Sequence, residues 1–148
     1  VPPIVSGAKS STTVRFLDTN VLLYSISTAE EERAKVARAR ELLAARDTAL
    51  SVQVLQEFYV QATRASREDR ITHGQALGLI ESWSRFNVAD ITQPMMWDAL
   101  QTRERWQISY WDALIVAAAR ALRCRVIFSE DLADGQDYGG VVVANPFR

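Results

Sequence analysis

The sequence predicts an α/β fold, with a parallel sheet covered by helices on both faces. Three observations carry this. Short β-rich runs alternate with longer helical ones along the chain. The strand runs, such as "RVIF" (125–128) and "VVVA" (141–144), are largely continuous apolar stretches rather than alternating ones. The segment "SYWDALIVAAARAL" (109–122) is apolar nearly all round, as a helix buried against a sheet must be. The 148 residues, 48% of them hydrophobic, suffice for one well-filled core and are too few for two comfortable domains.

Taken in order, residues 1–13, "VPPIVSGAKSSTT", lack a basic n-region and an apolar h-region, and are expected to form a flexible tail ahead of one domain spanning 14–148. "VRFL" (14–17) reads as the first strand. The charged run 29–47 reads as a surface helix, with Val36, Ala39 and Leu43 at core spacing. "TALSV" (48–52) is a second strand, followed by a helix over 53–65 whose Leu55, Phe58, Tyr59 and Ala62 share one stripe. Thr72 caps a helix over 72–86, "NVADI" (87–91) is a short strand, and Pro94 suits a first helical position. The apolar helix 109–122 leads to strand 125–128, a turn-rich stretch over 129–140, and strand 141–144.

Composition narrows the function. The net charge of −1 creates no global field for a polyanion, so any such ligand must be gripped locally. Of the 17 basic residues only Lys9 and Lys35 are lysine. Planar arginine forks suit phosphate, although base composition of the gene explains the same skew. The single Cys124 excludes an internal disulfide, and with the single His73 it makes no zinc set. No apolar run approaches the roughly 18 residues of a membrane span, so a cytoplasmic setting is expected.

The carboxylates are the informative residues. Asp18 ends the first strand in "FLDTNVLLY", and Asp131 follows "RVIF", so both belong at the carboxyl edge of the sheet, where open α/β folds bind ligands. Glu57 and Asp112 lie early in helices. Each has a structural alternative: Asp18 as a helix N-cap, Asp112 as half of a capping box with Ser109, Asp131 as a turn residue, Glu57 as a solvated side chain. Yet Asp18 is the only charge between Arg15 and Glu30, Glu57 between Asp47 and Arg64, and Asp112 between Arg105 and Arg120. Lone carboxylates in apolar segments, with no lysine or arginine beside them in sequence, point to a shared divalent cation such as Mg²⁺ or Mn²⁺.

"FLDTNVLLY", the lone Glu57, "SYWDALIVAAAR" and "FSEDL" together resemble the successive acidic motifs of PIN-domain nucleases, most closely the VapC-type toxins of toxin–antitoxin systems, over about residues 14–147. The resemblance implies a three-layer α/β/α sandwich with a central, mostly parallel sheet. It also implies a Mg²⁺- or Mn²⁺-dependent endoribonuclease, a hydrolase cutting RNA phosphodiesters with a metal-activated water. Asp18, Glu57, Asp112 and Asp131 then become the catalytic and metal-binding acids. Asn20 is expected to hold Asp18 or a metal-bound water, with Ser129 in support. Glu130, Asp134 and Asp137 compete with Asp131 for the fourth place. The implied partners are RNA, a cognate antitoxin protein and a second copy in a homodimer.

Arg64, Arg67 and Arg70 are candidate RNA contacts, against the alternative of a self-neutralised surface run beside Glu68 and Asp69. Trp83, Trp97, Trp106 and Trp111 are expected as packing or interface residues rather than base platforms. A receiver-type phosphoacceptor lacks its strand-end lysine here, and a haloacid-dehalogenase-like phosphatase would want an acid where Asn20 stands. The remaining alternative is a PIN-like domain that binds RNA or protein without cleaving.

Overall fold

The computed structural model describes residues 15–148, so the expected tail over 1–13 and Val14 lie outside the described residues. The described elements are strand β1 (Arg15–Leu17), helix α1 (Thr19–Ser25), a 3-10 turn (Glu30–Glu32), α2 (Arg33–Ala44), β2 (Thr48–Ser51), α3 (Val52–Thr63), α4 (His73–Trp83), β3 (Asn87–Ala89), α5 (Gln93–Trp106), α6 (Tyr110–Ala121), β4 (Val126–Phe128) and β5 (Val142–Ala144). The five strands form one sheet in the order β3-β2-β1-β4-β5, and every pairing is parallel. Among the described residues no helix is long and apolar enough to cross a membrane.

Chirality sorts the helices into layers. The chain steps outward from β1 to β2 to β3, then returns past β1 to β4, and parallel crossovers are right-handed. The outward crossovers therefore put α1–α4 on one face, and the return puts α5 and α6 on the other. The reversal falls between β1 and β4, whose registers run Arg15 to Val126 and Leu17 to Phe128. A crevice at the carboxyl ends of these two strands is the ligand position of such a sheet.

Local chemistry explains where elements differ from the sequence reading. α2 starts late because Ser27 holds the preceding turn, its Oγ accepting from the Ala29 N–H (3.2 Å) and donating to Glu32 Oε1 (2.5 Å). It stops at Ala44, where the Thr48 hydroxyl donates to the carbonyls of Leu42 and Ala45. Ala39, Leu42 and Leu43 carry its buried face, with Val36 only half-buried. In α3, Ser51 caps the helix by accepting from Val54 N–H, so the helix begins one residue early. Its fully buried stripe is Val54, Phe58 and Ala62, with Leu55 and Tyr59 at the margin. Thr92 caps α5, which moves Pro94 to the second helical position, where a missing N–H costs equally little. Thr72 and Gln75 form a full capping box for α4.

α6 is the most enclosed helix. Residues Ala113 to Ala119 are all buried, and the four alanines among them let it lie close to the sheet while α5 covers its outer side. Trp83 packs edge-on against Phe58 at 4.7 Å, and Trp106 against Tyr138 at 5.4 Å, so these two meet the packing expectation. Cys124 is free and buried, with its thiol pushed up to about 12 by burial.

Phe58→Ala removes a ring fully buried between α3 and α4 and is expected to cost about 3–5 kcal/mol in urea unfolding. Val60→Ala, two residues along and 57% exposed, is expected to stay within about 0.5 kcal/mol.

Candidate active site

The crevice is a cavity of about 400 Å³ whose wall includes Asp18, Glu57, Asp112 and Asp131. Asp18 leaves β1 at the seam with β4, its N–H donating to the Phe128 carbonyl (3.0 Å). It also caps α1, as Oδ1 accepts from the Thr19 N–H (2.7 Å), so the structural alternative and the site role fall on one carboxylate. Ser129 Oγ donates to Asp18 Oδ2 (2.8 Å) and accepts from the N–H groups of Asp131 and Leu132 (both 3.1 Å). One buried hydroxyl thus joins the first acid to the loop that carries the fourth.

Asn20 does not bond Asp18. Its Nδ2 donates to Asp131 Oδ2 (3.2 Å) and its Oδ1 accepts from the Glu130 N–H (3.4 Å), so it clamps the loop after β4. The rival acids are engaged elsewhere. Asp134 accepts from Asn145 N–H (2.8 Å), and Asp137 accepts from Gly140 N–H (2.7 Å) in a turn where Gly139 and Gly140 have positive φ. Glu130 borders the cavity but binds Lys35 Nζ (2.5 Å) and the Tyr24 hydroxyl. Burial acts to raise its carboxyl, but those two partners prevail and hold it below the ordinary range.

Two positioning residues escaped the sequence reading. The Thr19 hydroxyl donates to Glu57 Oε1 (2.6 Å), tying the second acid to the start of α1. Gln53, only 5% exposed, donates from Nε2 to Glu57 Oε2 and to the Trp111 carbonyl (both 3.2 Å). Glu57 is thereby joined to the first turn of α6, next to Asp112. The i, i+4 spacing of Gln53 and Glu57 was a signal for this pairing. Ser109 caps α6 by accepting from the Asp112 N–H (3.1 Å).

The electrostatics follow from this crowding. Burial pushes Asp18 up to about 6, against the hydrogen bonds from Ser129 and Thr19, with Asp131 and Glu57 adding repulsion. Asp112 is raised by burial and then by Asp131 and Glu57, although Ser109 opposes the shift. Among the described residues, no lysine or arginine forms an ion pair with any of the four acids.

Of the candidate RNA contacts, only Arg67 reaches the cavity wall, and its Nε lies 2.9 Å from Asp69 Oδ1. Arg64 and Arg70 are exposed, with Arg70 donating to the Ala65 carbonyl. His73 opens α4 and meets the Tyr59 hydroxyl at 2.9 Å.

Among the described residues, no three acidic, cysteine or histidine side chains are close enough to ligate a metal directly. The donor set nevertheless suits a hard cation: four carboxylates of one cavity, spaced apart, fit an ion that keeps part of its water shell, as Mg²⁺ does. Asp18 and Asp112 are raised chiefly by burial, and the neighbouring carboxylates push the same way, so a cation in the cavity would favour their charged forms.

Folded Asp18 keeps its proton up to about 6, whereas an unfolded aspartate releases it near 3.8. Stability from this group is therefore full below the lower value and falls as pH rises through the upper one. In metal-free buffer at pH 7, Asp18→Asn keeps a helix cap and is expected to stabilise the fold by roughly 1–2 kcal/mol in urea unfolding. The gain is expected to shrink to nothing near pH 4.

Residues 15–133 match the family model described as the PIN domain. The backbone is similar to that of a toxin–antitoxin complex from Klebsiella pneumoniae, with TM-score 0.62 and 22% identity over 89% of this chain and 97% of the other. It is similar to VapC20 of Mycobacterium tuberculosis, described as a sarcin–ricin loop cleaving toxin, with TM-score 0.61 and 21% identity over 79% and 91% of the two chains. FitAcB from Neisseria gonorrhoeae gives TM-score 0.61 and 20% identity over 90% and 99%. No curated protein sequence matches. At these identities the structural likenesses speak for the fold, an all-parallel sheet between two helical layers, while the family model spans the strands and helices that carry all four acids. The chain belongs to the PIN domain family.

Proposed function

We propose that this protein is a Mg²⁺- or Mn²⁺-dependent endoribonuclease, the toxin of a toxin–antitoxin pair, held in check by a cognate antitoxin protein. The observation that carries the reading is the convergence of Asp18, Glu57, Asp112 and Asp131 on one cavity without a paired cation. The toxin–antitoxin assemblies among the similar folds, and the RNA-cleaving toxin among them, support the substrate and the partner.

A divalent ion bound there supplies positive charge against the phosphodiester oxygens and lowers the pKa of water. Asp18, Glu57 and Asp112 would hold it together with water that the ion keeps. Thr19 and Gln53 keep Glu57 turned toward the cavity, and Ser129 keeps Asp18 there. Asp131, with Oδ2 on Asn20, leaves Oδ1 to orient the attacking water and take its proton. The buried strand ends behind Asp18 exclude bulk water from that side. With its single histidine out at the start of α4, the chain relies on carboxylates for proton transfer.

Cleavage of RNA is expected to require Mg²⁺ or Mn²⁺, to stop with chelator, and to fall on the order of 10²–10⁴-fold in Asp18→Asn or Asp112→Asn while far-UV circular dichroism is unchanged. Full cleavage by both variants would overturn the assignment. The rise in melting temperature on adding Mn²⁺ is expected to weaken as pH drops through about 6, because the ion must then displace a proton from Asp18.

A further inference from the structure

We propose that Trp111 is a stacking platform for an unpaired nucleobase of the RNA, fixed beside the phosphodiester that lies over the carboxylates; this rests on the nuclease reading above. Trp111 is 62% exposed, although the seven residues Ala113 to Ala119 of the same helix are buried. It stands in the wall of the acidic cavity, immediately before Asp112. Of the four tryptophans it alone does so: Trp83 is buried, Trp106 is half-buried against Tyr138, and Trp97, also exposed, is not part of that wall.

The indole is held in register with the acids. Gln53 Nε2 bonds both the Trp111 carbonyl and Glu57 Oε2, each at 3.2 Å, so the backbone beneath the ring is tied to the second carboxylate. Tyr110 meets the ring edge-on, with centroids 5.1 Å apart and planes at 79°. A ring fixed at backbone and edge keeps surface free for a flat partner.

The chemistry of the wall selects that partner. Its other apolar members, Leu23, Tyr24 and Ile115, are partly or fully buried, so Trp111 offers a single aromatic face bordered by carboxylates. An apolar protein segment needs a continuous patch to gain from burial, whereas a base needs one face. A ligand that brings a phosphodiester to the acids brings its bases with it. A base inside a duplex must first give up its pairing and stacking to reach the ring, so the ring favours a nucleotide that is already unpaired.

The test uses 5′-labelled random 12-nucleotide RNAs, and a 12-nucleotide chain of riboses without bases, in fluorescence anisotropy with Ca²⁺ replacing Mg²⁺. Cleavage of the same RNA pool in Mg²⁺ is measured in parallel. Trp111→Ala is expected to weaken RNA binding by about 5–100-fold and to lower cleavage to match, while Trp111→Phe restores most of both. The base-less chain is expected to bind wild type and Trp111→Ala alike. Equal RNA binding by wild type and Trp111→Ala overturns the platform. So does an equal loss for the base-less chain. If wild type cleaves and Trp111→Ala cleaves as well but fails to self-associate or to bind antitoxin, Trp111 is a protein contact and only the platform fails. A wild type that neither binds nor cuts the pool overturns the nuclease reading together with it.

Discussion

Negative charge held at the seam of β1 and β4 is the constraint on which the site depends. A carboxylate left to itself would turn out to water. Asp18 cannot, because its backbone is bonded into β4, its Oδ1 caps α1 and its Oδ2 receives Ser129. The parallel sheet makes this possible by bringing the ends of two strands, more than a hundred residues apart in sequence, into adjacent register. The folding free energy of the domain therefore carries an electrostatic penalty at neutral pH that a ligand of opposite charge would relieve, a common arrangement where strain and function coincide.

The fold also decides which acids remain available. Six acidic side chains border the cavity, and two are withdrawn by local partners: Glu32 by Ser27, and Glu130 by Lys35 and Tyr24. Lys35 additionally lies over the rings of Tyr24 and Phe147, while Arg38 bonds the Pro146 carbonyl, so α2 anchors the end of the chain next to the acidic loop. The withdrawal of Glu130 depends on contacts between α2 and residues about a hundred positions away.

Much of the arrangement was legible in the sequence. The alternation of elements and the apolar segment 109–122 pointed to the parallel sheet. The isolation of Asp18, Glu57 and Asp112 among uncharged neighbours pointed to the cavity they share. What stayed hidden was the pairing of neutral polar groups. Thr19 and Gln53 look like ordinary cap or surface residues until α1, α3 and α6 are brought together, and Asn20 meets Asp131 only across 111 residues of chain. In α3 the sequence pattern suggests a stripe through Leu55 and Tyr59, whereas the buried one runs through Val54, because apolar residues on both flanks of the helix blur its 3.6-residue period. The exposure of Trp111 was equally invisible, since an apolar helix does not announce that its first turn stays open to solvent.

Because the first acid is also the residue that starts α1, silencing the site and keeping the architecture are chemically linked. A lineage that gave up cleavage while keeping the domain as a scaffold would be confined at position 18 to side chains that still accept a backbone N–H, chiefly asparagine, serine or threonine. Alanine or valine there would leave the first turn of the helix unsatisfied. Among descendants of this chain, the identity of that one residue would record whether activity was lost by selection for a retained fold or by decay.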